Sequence, residues 1–90
     1  MSVKVKIPTI LRTLTNNQKE VTSEGQTVKE LIESLESQYP GIRDRLLKEG
    51  EVQKFMNIYV NEDDIRFKNQ LATDIKSSDV ITILPAVAGG

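Results

Sequence analysis

Reactive side chains are scarce in this chain: among 90 residues there is no histidine and no cysteine. Without a thiolate there is no cysteine nucleophile and no thiolate metal site. Without an imidazole the usual near-neutral general base is gone, and so is the commonest metal ligand; a Ser-His-Asp arrangement is impossible. Three adjacent acids, Glu62-Asp63-Asp64, read as a solvated turn rather than a cation site, because neighbours in sequence do not converge on one point. Arg12, Arg66 and Lys68 are candidates to meet acidic groups on a partner, although isolated surface cations usually carry no specific role. The most distinctive chemical feature is the end of the sequence, Pro85-Ala86-Val87-Ala88-Gly89-Gly90. From Ala86 onward every side chain is small or absent except that of Val87. Gly89 and Gly90 have no Cβ, so they can thread a narrow channel and let another backbone approach. The Gly90 carboxylate is then the group a partner's active site can reach. A chain so equipped lends a group to an enzyme rather than acting as one, and no bound cofactor or metal is expected.

Bulk properties set the frame around that end. Ninety residues make one domain, and 38% apolar with 28% charged residues is a globular composition. The 12 basic and 13 acidic side chains leave a net charge of -1, which argues against nucleic acid as a partner, since that needs a surplus of Lys and Arg. Two Phe and two Tyr offer little surface for base stacking. The core is held by packing alone, with no disulfides. No apolar run is long enough to span a bilayer, and Met1-Ser2-Val3-Lys4-Val5-Lys6 lacks the apolar stretch of a secretory signal. The expectation is a cytoplasmic protein with no membrane partner.

The elements follow from hydrophobic period. Val3, Val5 and Ile7 alternate with Lys4 and Lys6 as a half-buried strand ending at Pro8. Thr9 to Asn17 read as a connection, with Asn16-Asn17 as its turn, and a second strand is expected over Gln18 to Ser23. Thr27 and Glu30 have the spacing of a capping box, with Glu30 reaching back to the Thr27 N–H. Val28, Leu31, Ile32 and Leu35 share one helical face, and Pro40 stops the helix near Tyr39. Ile42 and Leu46 suggest one or two further helical turns, with Gly50 as the stop. Phe55 to Val60 is a strand with Met56, Ile58 and Val60 inward. Asn61 to Asp64 form a turn, Ile65 to Phe67 a short edge strand, and Leu71 and Ile75 core anchors. Ser77-Ser78-Asp79 turn into a last strand, Val80 to Leu84, with Ile81 and Ile83 inward.

This order predicts an α+β fold with one main helix packed across one face of a mixed sheet. Its two most apolar strands, the first and the last, lie parallel at the centre: the β-grasp arrangement. Residues 1–84 form the domain, and residues 85–90 are expected to be an extended, mobile tail, with Pro85 preventing further regular pairing. Glycines at a chain end are weak evidence by themselves, since termini often fray. Here they follow a last apolar strand and a short spacer.

In Asp79-Val80, Leu84-Pro85 and Val87-Ala88-Gly89-Gly90 the chain resembles the ubiquitin-like sulfur carriers. This family includes the small subunit of molybdopterin synthase and the thiamine-pathway carrier, and the resemblance covers essentially the whole chain. Ile7-Pro8-Thr9-Ile10-Leu11-Arg12 and the run from Ile83 to Gly90 look most like the carriers that feed cysteine synthesis in some bacteria. Molybdopterin-type carriers more often have Pro-Pro where this chain has Pro85-Ala86. The resemblance implies that a partner enzyme uses ATP to adenylate the Gly90 carboxylate, that sulfur replaces AMP to leave a thiocarboxylate, and that a sulfur-accepting synthase draws in the tail. The resemblance likewise implies that ATP binds the adenylating enzyme; this chain has no phosphate-cradling glycine loop of its own. Leu84, pointing away from the core beside the tail, is a docking candidate, with Ile10 and Ile65 as further candidates on flanking loops; single exposed leucines also occur without function. Two other readings stand beside the carrier: a protein modifier joined to lysines through Gly90, and a β-grasp interaction module whose tail does nothing.

Overall fold

Alternating burial builds the first strand, β1 (Ser2–Lys6): Val3 and Val5 are buried while Ser2, Lys4 and Lys6 face solvent. The computed structural model describes residues 2–85. β1 pairs antiparallel with β2 (Glu20–Glu24), which begins and ends later than the sequence suggests. The connection between them is not a plain loop. Thr9–Thr15 wind into a 3-10 helix that buries Leu11, and Asn16 closes it with φ 56°. Asparagine is among the few residues that adopt this left-handed conformation readily, and the N–H of Asn17 returns to the Arg12 carbonyl at 2.7 Å.

The main helix, α1 (Val28–Gln38), lies across the sheet with Val28, Leu31, Ile32 and Leu35 buried, as their spacing predicts. The Thr27 hydroxyl accepts the Glu30 N–H at 3.2 Å. The expected return bond differs by one residue: the Glu30 carboxylate accepts the N–H of Gln26, at 3.1 Å, rather than that of Thr27. A short helix, α2 (Ile42–Leu46), follows. Gly50 does not stop it. Leu47–Lys48 and Glu51–Val52 form a small hairpin, β3 and β4, with Glu49 and Gly50 as its two turn residues at φ 54° and 81°. That is the positive-φ pair a tight hairpin needs.

β5 (Met56–Val60) buries Met56, Ile58 and Val60 and turns through Asn61-Glu62 into β6 (Asp63–Asp64). The edge strand expected over Ile65 to Phe67 is a 3-10 turn instead. Its cause is local: the Asp64 carboxylate accepts the Arg66 N–H at 2.8 Å, an Asp–backbone bond that competes with strand pairing. Ile75 is buried as expected, whereas Leu71 is only half-buried.

The last strand, β7 (Val80–Pro85), completes a five-stranded sheet of order β2-β1-β7-β5-β6. β7 runs parallel to β1 and antiparallel to β5, so the first and last strands occupy the centre. Asn61 anchors its start: its side chain donates to Asp79 and accepts from the Val80 N–H, both at 3.0 Å. The core lies between this sheet and α1, and includes Val5, Leu31, Leu35, Ile58, Ile81 and Ile83.

Candidate functional site

The candidate site is the end of β7. Ala86, Val87, Ala88, Gly89 and Gly90 lie outside the described residues, so the structure defines the root of the expected tail. That root sits one residue later than the expected boundary, because Pro85 belongs to β7 and lies opposite Met56 in the ladder. Proline fits there for a reason of register. The N–H of Asn61 donates to the Val80 carbonyl, so the amides of Val80, Thr82 and Leu84 face β5, and the nitrogen of Pro85 faces the side of β1. Pairing with β1 ends at Thr82. The hydrogen bond that proline cannot donate is therefore one that no neighbouring strand was placed to accept.

Two of the three docking candidates meet at this root. Leu84 is 45% exposed and Ile10 is 59% exposed, and both line one groove of about 570 Å³ together with Pro85. Ile65 does not join them. It is 1% exposed, because the turn bonded to Asp64 sends its side chain into the core, so it offers no docking surface. The lysines and arginines separate as well. Arg12 lines the groove with Lys6 and Lys19, and its Nε donates to the Ile7 carbonyl at 3.2 Å. Arg66 instead spans the open side of β5, donating to the Met56 carbonyl at 2.9 Å, and Lys68 lies 3.6 Å from Asp63. Clustering of Lys6 and Lys19 with Arg12 was hidden in the sequence, since it depends on the β1–β2 pairing and the fold of the 3-10 helix between them.

Other features at or near the root are Phe55, 66% exposed just before Met56, and Asn57, which pairs with Leu84. Asn57 keeps its Oδ1 buried with no hydrogen-bond partner among the described residues. Among the described residues no group of acidic side chains converges to hold a metal ion, and no helix is long and apolar enough to cross a membrane.

Comparison with known proteins gives the family and the fold. The model of the ThiS family matches residues 5–90, which takes in both the sheet and the terminal glycines. The chain belongs to the ThiS family. Within the family it is 50% identical to the sulfur carrier protein CysO of Mycobacterium tuberculosis, with both chains covered in full. It also matches a chain in the crystal structure of the Amycolatopsis orientalis BexX/CysO complex, with 51% identity, a TM-score of 0.93, and coverage of 98% of this chain and 99% of that one. The small archaeal modifier protein 1 of Methanosarcina acetivorans is similar at 32% identity and a TM-score of 0.84, over 99% of this chain and 96% of that one. This ThiS-family chain is thus a ubiquitin-like β-grasp protein and a sulfur carrier, not an enzyme.

Proposed function

We propose that the chain carries sulfur as a thiocarboxylate on Gly90 and delivers it in the cytoplasm to a biosynthetic enzyme, with cysteine synthesis as the pathway. The observation that carries this reading is full-length similarity to CysO, through the last glycine. A carboxylate is inert towards sulfide, so a partner enzyme must first activate it. An oxygen of the Gly90 carboxylate attacks the α-phosphorus of ATP, pyrophosphate leaves, and an acyl-adenylate forms. Sulfide then attacks the carbonyl carbon. The C–S bond forms, the C–O bond to AMP breaks, and AMP departs with the electron pair. The carrier's own residues contribute position: β7 sits at the sheet centre and holds Pro85 at the rim, and residues 86–90, when extended, reach about 17 Å beyond it. Leu84 and Ile10 supply apolar contact for the enzymes that take the tail.

The similarity to an archaeal modifier protein favours a second reading, isopeptide linkage of Gly90 to lysines. Intact mass spectrometry of the protein isolated from its native cell separates the two. We expect the chain with one oxygen exchanged for sulfur. A ladder of larger covalent adducts would support the modifier instead.

A further inference from the structure

We propose that before activation the chain shields its own end: residues 86–90 turn back along β7, and the Gly90 carboxylate seats against Arg12 and Lys19. This inference shares one premise with the proposed function, a free carboxylate on Gly90, and needs none of its sulfur chemistry.

An unfinished rung of the sheet is the first argument. The N–H of Ile7 donates to the Lys19 carbonyl, so the backbone of Ile7 faces β2 and that of Pro8 faces β7. Pro8 has no N–H, and pairing between β1 and β7 stops at Lys6 and Thr82. The Ile83 carbonyl faces the β1 side and receives no backbone N–H among the described residues. Ile83 lines the groove, so a peptide segment lying there supplies the missing donor. Charge is the second argument. Lys6, Arg12 and Lys19 line the groove with Glu20 as its one acid. Glu20 stands opposite Lys6 in the β1–β2 ladder and offsets it, which leaves Arg12 and Lys19 to meet an anion. The bond from Arg12 Nε to the Ile7 carbonyl holds the guanidinium, while its terminal nitrogens meet no acceptor among the described residues. A fixed guanidinium with free terminal nitrogens suits a carboxylate. Length is the third. Five residues span about 17 Å when extended, enough to turn back past Pro85 and Leu84, which line the same groove. The exposed Ile10 and Leu84 offer apolar contact to Val87, the one larger side chain of the segment. A tether this short gives the carboxylate a local concentration of about millimolar, so a weak contact populates the closed form. An activating enzyme then finds only the open share of the carriers, and its apparent affinity falls by that share.

The test is a pH titration of the Gly90 carboxyl by carbon NMR on the full chain, with glycine carbonyls labelled. A carboxylate beside a fixed guanidinium titrates below a free one, and the wild-type midpoint is expected about 0.5 pH below that of the free peptide Ala-Val-Ala-Gly-Gly. The backbone amides of Ile10 and Leu84 should move with the same midpoint. Arg12→Gln and Lys19→Gln should each narrow the gap, and high salt should narrow it too. Lys19→Gln serves alone if Arg12→Gln fails to fold. Lys29→Gln, on the exposed side of α1, should titrate as wild type does. A wild-type carboxyl that titrates like the free peptide, or a gap unchanged in the groove variants, overturns the proposal. Sulfur loading is read separately by intact mass: a seated carboxylate that an activating enzyme never loads keeps this inference and contradicts the thiocarboxylate reading.

Discussion

Glu36 shows how a single side chain can organise a corner of this fold. It lies near the end of α1, and its carboxylate accepts the N–H of Arg43 at 2.9 Å and that of Gly41 at 3.1 Å. These bonds favour the ionised form, so the Arg43 N–H first, and then the Gly41 N–H, hold the carboxyl below its ordinary range. The sign follows directly: the native state binds fewer protons at this site than the unfolded chain. The stabilisation is present in full above the ordinary glutamate pKa and is lost as pH falls through the lowered value. Glu36→Gln is expected to reduce stability at neutral pH, with the gap to wild type narrowing in acid, as read from urea midpoints. A gap independent of pH would contradict this account. Thr27 and Glu30 were legible because capping has a fixed local spacing. Glu36 was not, because its partners lie five and seven residues on, across the Pro40-Gly41 bend.

Elements were legible in proportion to their length. β1, β5 and β7 each alternate over five or six residues and α1 spans three turns, long enough for a period to show. β3, β4 and β6 have two residues each, and two residues carry no period. The 3-10 helix at Thr9–Thr15 was hidden for a related reason, since its contribution to the core is chiefly Leu11. Close approach between elements is invisible at this level too. Gly25, at the end of β2, passes so near α1 that a Cβ there would lie 2.6 Å from the Leu31 nitrogen and 2.9 Å from its Cα. Backbone atoms cannot swing aside as a flexible side chain would. Gly25→Ala is therefore expected to cost about 1–3 kcal/mol. Chemical denaturation would show it as a lower midpoint with unchanged slope, and a variant as stable as wild type would show that the β2–α1 junction relaxes freely.

At the scale of the whole molecule, the proposed function assigns stability and sulfur transfer to different parts of the chain. The parallel β1–β7 pair buries Val3, Val5, Ile81 and Ile83 under α1, and among the described residues the last member of this core is Ile83. Gly90 has no side chain to bury, so its removal should leave the melting temperature nearly unchanged while abolishing sulfur transfer. The topology was readable because the two most apolar strands had to share the centre of the sheet. The groove was not, because Lys6, Ile10, Arg12, Lys19 and Leu84 come together only after the chain has folded.

Sulfur loading tests the account most directly. The purified full chain would be incubated with its activating enzyme, ATP and sulfide, and the position of any incorporated sulfur read by fragmentation mass spectrometry. The account predicts one sulfur in place of oxygen at the Gly90 carboxyl, and none when Gly90 is deleted. Sulfur found on any other residue, or a full chain left unmodified by an enzyme that loads a related carrier, would contradict it.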